Sequence, residues 1–348
     1  MPSCRKSRLR LRESNRMPGM DSLPVYVEAP ARLHLGFLDL EGSLGRQFGS
    51  LGLTLDGITT RIVARRNNCV EVLGDSTGRV QGIAEKFLAA KGLTGGCQIE
   101  VLDQIPAHSG LGSGTQLSLA VGTAISRLCS LECTPQDIAE TLDRGARSGV
   151  GIGAFQQGGF LLDAGKGVSD SVPPIVSRLR FPSAWRVVLF IDSTLRGLHG
   201  NDESTSFASL PSFSPETAAY LCHLVLMQIL PAVFERDLEA FSKGISGLQR
   251  CIGDHFASAQ GGRYTSRAVS EAIEYAESLG IEGVGQSSWG PMGFAFVDSE
   301  IQGHALLRDL RTRFAANEGL QFKIVSGKNT GAVVLQQDRI PVSKAVES

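Results

Sequence analysis

Twelve residues, Ile105-Pro-Ala-His-Ser-Gly-Leu-Gly-Ser-Gly-Thr-Gln116, carry the pattern in this chain best suited to holding a phosphate. Gly110, Gly112 and Gly114 remove side chains, so backbone N–H groups can close on a ligand. A strand-like run, Gln98 to Leu102, leads in, and an amphipathic helix leads out. In that helix Leu117, Ala120, Val121, Ala124, Ile125 and Leu128 fall at i, i+3, i+4, i+7, i+8 and i+11. Its N-terminus adds unpaired N–H donors and the positive end of a dipole. Ser109, Gly110, Gly112, Ser113, Gly114, Thr115 and Gln116 are therefore the candidate phosphate-binding residues. No Gly-Lys-Ser/Thr follows, and the spacing is not Gly-x-Gly-x-x-Gly with a later acid, so neither standard nucleotide motif applies.

Three further passages offer chemistry. In Ala29-Pro-Ala-Arg-Leu-His-Leu-Gly36, Arg32 and His34 share one face of a strand and Leu33 and Leu35 the other. Such a pair suits a carboxylate or a phosphate, or merely a solvated edge. Asp192-Ser-Thr-Leu-Arg-Gly-Leu-His-Gly-Asn-Asp-Glu203 follows an apolar strand, where loops commonly carry function. Asp192, Arg196, His199 and Glu203 there offer anion contacts or hard-oxygen metal ligands. In Gly285-Gln-Ser-Ser-Trp-Gly-Pro-Met-Gly293, Gln286, Ser287 and Ser288 could clamp the far side of a ligand held by the first loop.

These passages need a scaffold, and the chain is long enough for one. At 348 residues, two domains with substantial cores are expected. Apolar residues make up 42% and charged residues 20%, as in ordinary globular proteins. A net charge of −1 gives no bulk attraction to nucleic acid or membrane, and neither is expected as a partner. Leu221 to Phe234 is the longest apolar stretch, interrupted by His223, Gln228 and Pro231, so no membrane span is expected. The seven scattered cysteines indicate reduced thiols in a cytoplasmic compartment; Cys129 and Cys133 read as helix-end residues rather than metal ligands. The basic run Arg5 to Arg12 belongs to a polar leader, residues 1–22. It reads as a disordered extension, or as upstream of a true start at Met17 or Met20.

Along the chain, strands are expected at Val25–Ala29 and Leu33–Leu40, with a Gly-rich connection over 42–52. A hairpin around Asn67-Asn68 joins Ile58–Ala64 to Cys69–Leu73. Helices follow at Arg79–Lys91, after the glycine loop, and at Pro135–Arg147 behind Thr134 as N-cap. Ser148-Gly-Val-Gly-Ile-Gly-Ala-Phe-Gln-Gln-Gly-Gly-Phe160 is a second Gly-rich passage before a strand, Phe160 to Ala164. Gly165–Ser183 reads as the interdomain connector. Beyond it come a strand at Arg186–Asp192 and helices at Pro215–Leu230, Asp237–Cys251, Ser266–Leu279 and Ile301–Phe314. Strands at Phe294–Asp298, Phe322–Ser326 and Thr330–Gln336 complete a mixed α+β pattern.

With these passages in view, the chain resembles the GHMP kinase superfamily over nearly its whole length from about Val25. Within it, the chain is similar to the decarboxylating ribofuranosyl phosphate synthases of tetrahydromethanopterin biosynthesis, which form beta-ribofuranosylaminobenzene 5′-phosphate. The resemblance rests on Ala29 to Gly36, Ser109 to Gln116, Ser148 to Gly153, Gln260-Gly-Gly-Arg-Tyr264 and Gly283-Val-Gly-Gln-Ser-Ser-Trp-Gly-Pro291. It implies an N-terminal phosphate-binding α/β domain over 23–165 and a C-terminal ferredoxin-like domain over 184–338. It also implies condensation of phosphoribosyl pyrophosphate, with Mg²⁺, and 4-aminobenzoate, releasing CO2 and pyrophosphate. Arg32, His34, Arg196 and Glu203 are then the candidate catalytic residues; metal ligands are unassigned and a homodimer is left open.

One departure separates this chain from the superfamily's kinases. Where several of them carry an Asp that takes the substrate's hydroxyl proton, this chain has Gly151, and no carboxylate follows until Asp163. Loss of a general base typically costs about 100- to 10,000-fold, which favours a different reaction on a phosphorylated substrate. A small-molecule kinase using Asp192 or Glu203 instead, or a sensing module without chemistry, are the competing expectations.

Overall fold

The computed structural model describes residues 23–168, 172–195, 197 and 210–337. The chain opens with two long antiparallel strands, β1 (Val25–Asp39) and β2 (Phe48–Asn67). Next come β3 (Glu71–Leu73), α1 (Arg79–Ala90), β4 (Gly96–Asp103), α2 (Ser113–Leu128), α3 (Pro135–Thr141), α4 (Val150–Gln156), β5 (Phe160–Asp163) and β6 (Ile175–Leu179). These strands, with the final β11 (Val333–Gln336), form one sheet in the order β11-β1-β2-β4-β3. In it β5 pairs with the first part of β2, and β6 pairs with β5. The later elements are β7 (Arg186–Asp192), α5 (Pro215–Leu224), α6 (Leu230–Glu235), α7 (Leu238–Gln260), α8 (Arg267–Ser278), β8 (Val284–Gln286), β9 (Met292–Val297), α9 (Glu300–Arg313) and β10 (Leu320–Ser326). Their sheet runs β10-β7-β9-β8, antiparallel throughout, which is the ferredoxin-like order.

Side-chain alternation along β7 explains how the two sheets share a core. Val188 and Phe190 face α8 and α9, whereas Val187 and Leu189 face the opposite way. The second pair meets Leu33, Leu35, Leu51 and Leu53 of the first sheet in one continuous cluster. Phe241 of α7 sits at its middle, with ring centroids 5.2 Å from Trp185, 4.9 Å from Phe296 and 5.7 Å from Phe160. A separate cluster lies where Val25, Val27, Ile62 and Ile99 meet α1 and α2.

Several expected elements take a different form. The hairpin at Asn67-Asn68 does not exist: β3 pairs in parallel with β4, which lies between it and β2. Parallel neighbours need a crossover, and α1 supplies it. The connection over 42–52 ends early, at the start of β2. Helix α3 stops at Thr141 rather than Arg147, because Asp143 (φ 54°) and Gly145 (φ 81°) turn left-handed just beyond it. Its expected N-cap holds: Thr134 and Asp137 form a reciprocal capping box. The second Gly-rich passage folds into α4. The segment expected as a connector supplies β6 to the first sheet, and the last strand also returns to that sheet, against β1.

The helical stretch Pro215–Glu235 continues through Pro231, because the turn before it widens so that Leu230 N–H reaches Val225 O, five residues back. By length and composition it could span a bilayer. In the fold, however, Leu221, Val225, Ile229 and Val233 pack into the shared core while Leu226, Met227 and Phe234 are exposed.

Truncating Phe241 to alanine should cost about 3–5 kcal/mol, because a fully buried ring joins elements of both sheets. Urea unfolding measures this. A loss below about 1 kcal/mol would show that the shared core is not where stability resides.

Candidate active site

Three loops converge at the mouth between the two sheets. The first is the glycine loop that ends at Gly112, the N-cap of α2, which has φ 78° and no side-chain cap. The second joins β8 to β9, and the third follows β7. Gly110 and Gly290 meet backbone to backbone. A Cβ on Gly290 would lie 2.4 Å from Gly110 N, and one on Gly110 (φ +86°) would lie 2.3 Å from Ser287 O. The third loop closes the group, with Gly197 N donating to His108 O at 2.8 Å.

Hydrogen bonds tie the loops to β1. Ser287 Oγ accepts from His34 N (3.0 Å) and donates to Gly110 O (2.8 Å), while Ser288 N donates to His34 O (3.1 Å). Arg32 joins in twice, its Nη1 donating to Gly110 O at 2.6 Å and its backbone N to Leu111 O at 3.1 Å. Arg32 and His34 thus share one strand face, as expected, opposite Leu33 and Leu35 in the core.

On one side of this junction is a cationic cradle. A Cβ on Gly112 would stand 3.1 Å from the Arg32 guanidinium carbon, and one on Gly114 would stand 3.6 Å from Arg79 Nη2 and 3.7 Å from Arg144 Nη1. Arg79 and Arg144 were not legible as site residues in the sequence, since they lie 35 and 30 positions from Gly114. Burial, and then the neighbouring positive charge of Arg79, hold Arg144 below the usual guanidinium range. Its Nε donates to Ser118 Oγ at 3.1 Å. Two like charges held beside free helix N–H groups favour an anion between them.

On the other side is a pocket lined by His34, Phe37, Ile252, Phe256, Gln286 and Trp289, with Arg263 among its further residues. Its aromatic walls pack edge to face, Phe256 against Trp289 at 4.6 Å. His34 is 3% exposed, and neither ring nitrogen has a hydrogen-bond partner. Burial, reinforced by the Arg32 charge, lowers its pKa from 6.5 to about 3, so the imidazole is neutral at neutral pH. That departs from the expectation of a cationic anion contact: His34 can donate and accept, but carries no charge.

The other candidates divide. Gln286 is fully committed, its Oε1 accepting from Thr265 N (2.6 Å) and its Nε2 donating to Ser288 O (2.9 Å) and Gln260 Oε1 (3.3 Å). Gln116 is buried and donates to Gly151 O at 2.7 Å, joining α2 to α4. Ser109 Oγ donates to Pro106 O at 2.8 Å. Ser113, Gly114 and Thr115 form the first turn of α2. Arg196, His199 and Glu203 lie outside the described residues.

Neither locatable carboxylate can replace a kinase's base. Asp192 accepts from Ser266 Oγ (2.6 Å), Thr194 Oγ1 (2.6 Å) and Thr194 N (2.9 Å). Burial would raise its pKa, but those bonds bring it below the usual range. Asp163 is wholly buried and takes bonds from Ser50, Ser148, Gly149 and Gly165, and burial keeps its pKa raised. At the position of the kinase Asp, a Cβ on Gly151 would lie 3.1 Å from Thr115 Cγ2.

Fold and loops together define a protein of the GHMP kinase type. A model of the GHMP kinases N terminal domain matches residues 78–159, and one of the GHMP kinases C terminal domain matches 229–316. Solved structures share the fold, though at low identity. The galactokinase of Lactococcus lactis superposes with a TM-score of 0.67 at 14% identity, over 93% of this chain and 98% of that one. Homoserine kinase from Cytophaga hutchinsonii gives 0.64 at 16%, over 91% and 99%. Curated relatives are nearer in sequence. Beta-ribofuranosylphenol 5′-phosphate synthase of Archaeoglobus fulgidus is 35% identical over 84% of this chain and 93% of its own length. The protein of that name from Methanocaldococcus jannaschii is 35% identical over 65% and 76%. The chain belongs to the beta-ribofuranosylphenol 5′-phosphate synthase family.

His34 has a consequence for stability. Its folded pKa lies below its unfolded value, so between pH 6.5 and about 3 the unfolded chain binds the extra proton and stability falls as pH falls. The slope for one such group is at most about 1.4 kcal/mol per pH unit. Between about pH 6.5 and about pH 4.5, His34→Gln should therefore lose roughly 2 kcal/mol less than the parent in urea unfolding. Equal losses would show that the imidazole is not held neutral by burial.

Proposed function

We propose that the chain condenses phosphoribosyl pyrophosphate with a para-substituted benzoate, releasing CO2 and diphosphate, as a synthase of the tetrahydromethanopterin route. The observation that carries this is the pairing of a cationic cradle with a neutral aromatic pocket across one loop junction. The diphosphate lies over the N-terminus of α2, with Arg32, Arg79 and Arg144 around it. As the bond between the anomeric carbon and the diphosphate oxygen breaks, charge gathers on that oxygen. N–H groups of the first turn and the guanidinium groups stabilise it. The ring carbon bearing the carboxylate then bonds to the anomeric carbon. The electron pair of its bond to CO2 returns to the ring, so aromaticity is restored with no net proton transfer.

The acceptor is 4-aminobenzoate, as the sequence resemblance implies, or 4-hydroxybenzoate, which would leave the phenol named in the relatives. Among the described residues no three His, Cys, Asp or Glu side chains stand together as a metal site. Mg²⁺ is taken to enter with the diphosphate substrate, as the sequence resemblance implies. Arg32, beside Gly112, serves the end of the acceptor nearest the reacting carbons.

Incubation with phosphoribosyl pyrophosphate, Mg²⁺ and either acid should release CO2 and diphosphate in equal amounts, with no phosphoryl transfer from ATP to sugars. ATP-dependent product without CO2 would restore the kinase reading. Gly112→Val, which drives a branched side chain into the Arg32 guanidinium, should lower kcat/KM at least ~100-fold, about 2.7 kcal/mol of transition-state stabilisation. Near-normal turnover in this variant would remove the loop from the site.

A further inference from the structure

The amides of the aromatic pocket are already bonded to the protein. Gln249 donates to Leu35 O (2.6 Å) and accepts from Gln286 N (2.8 Å). Gln286 is committed as described above. Gln260 donates to Arg263 O (2.7 Å) and accepts from Thr265 Oγ1 (3.2 Å) and Gln286. Arg263 spends its guanidinium on Asp254, at 2.7 and 3.3 Å. His34 is different: it is almost wholly buried, lines the same pocket, and both ring nitrogens lack partners. A buried polar group left unsatisfied costs about 1–3 kcal/mol, so this imidazole is built to meet a group that the protein does not supply.

That group is uncharged and aromatic-borne. The walls Phe37, Phe256 and Trp289 suit a flat ring, and no free carboxylate or cation lines the pocket to pair with an ion. The N–H and the bare nitrogen of a neutral imidazole point apart, so one para substituent meets one of them; a phenolic hydroxyl serves either, accepting from the N–H or donating to the bare nitrogen. An arylamine serves either one less well, because its N–H is a weaker donor than a phenolic O–H and its lone pair is delocalised into the ring. The spacing also fits. Arg32 and His34 are two residues apart on one strand face, roughly 6.6 Å, comparable to the length of a benzoate between its carboxylate and para substituent.

Resting on the reading above, we infer that His34 holds the para substituent of the acceptor ring and selects a hydroxyl over an amine. Arg32 then faces the carboxylate end beside the cradle. His34 acts here as a specificity residue, and no proton leaves the substrate.

Calorimetric titration of the full chain separates this from the parent reading. The unmodified protein should bind 4-hydroxybenzoate about tenfold more tightly than benzoate, with 4-aminobenzoate between them. His34→Phe should erase that gap while leaving the affinity for phosphoribosyl pyrophosphate unchanged. Equal affinity of the unmodified protein for benzoate and 4-hydroxybenzoate would overturn the role of His34 without touching the synthase reading, and needs no variant to fold. A gap that survives in His34→Phe, or a variant weakened only toward phosphoribosyl pyrophosphate, would overturn it equally. If the unmodified protein binds none of the three acids, the acceptor reading itself falls, and this inference with it.

Discussion

Everything functional in this molecule depends on a backbone contact with no room for a side chain. Gly110 and Gly290 approach so closely that a Cβ on Gly290 would fall 2.4 Å from Gly110 N. The contact joins a loop of the first sheet to a loop of the second, and Ser287 locks it by bonding both Gly110 O and His34 N. Because each bond is buried or partly buried, loosening one leaves polar groups unsatisfied, and the junction behaves as a unit. The glycine loop therefore has two jobs. Gly110 welds the halves together, while Gly112 and Gly114 leave the cradle open.

The junction also divides two environments that the chemistry needs side by side. Arg32, Arg79 and Arg144 concentrate positive charge where, in the proposed reaction, a leaving diphosphate would develop its own charge. A few residues away, the pocket around His34 has aromatic walls, and the Arg263 guanidinium at its edge is paired with Asp254. In the proposed reaction an aromatic nucleophile there would keep its electron density, because the nearby guanidinium of Arg263 is already paired with a carboxylate. Several of the superfamily's kinases carry a base where this chain has Gly151, on which a Cβ would lie 3.1 Å from Thr115 Cγ2.

Much of this was legible in the amino-acid sequence because it is local. The Gly-rich run before an apolar stripe located α2 and its cradle, and β7 was readable to its ends at Arg186 and Asp192. The parity of Arg32 and His34 against Leu33 and Leu35 also followed from strand periodicity. What escaped was set by long-range pairing. Arg79 and Arg144 reach Gly114 only through the packing of α1 and the turn after α3 onto α2. The parallel pairing of β3 with β4 depends on a crossover that no local turn signal announces. The neutral state of His34 likewise comes from burial under Phe37 and its neighbours, which composition around residue 34 does not reveal.

The central claim is that cradle and pocket form one site because the Gly110–Gly290 contact holds them together. The most direct measurement is calorimetric binding of phosphoribosyl pyrophosphate and of the aromatic acid, each alone, to a Gly290→Ala variant whose unfolding still matches the parent. The added methyl must displace Gly110, so the account predicts that both affinities fall together, by roughly tenfold or more. Unchanged affinities, or a loss confined to one ligand, would contradict it.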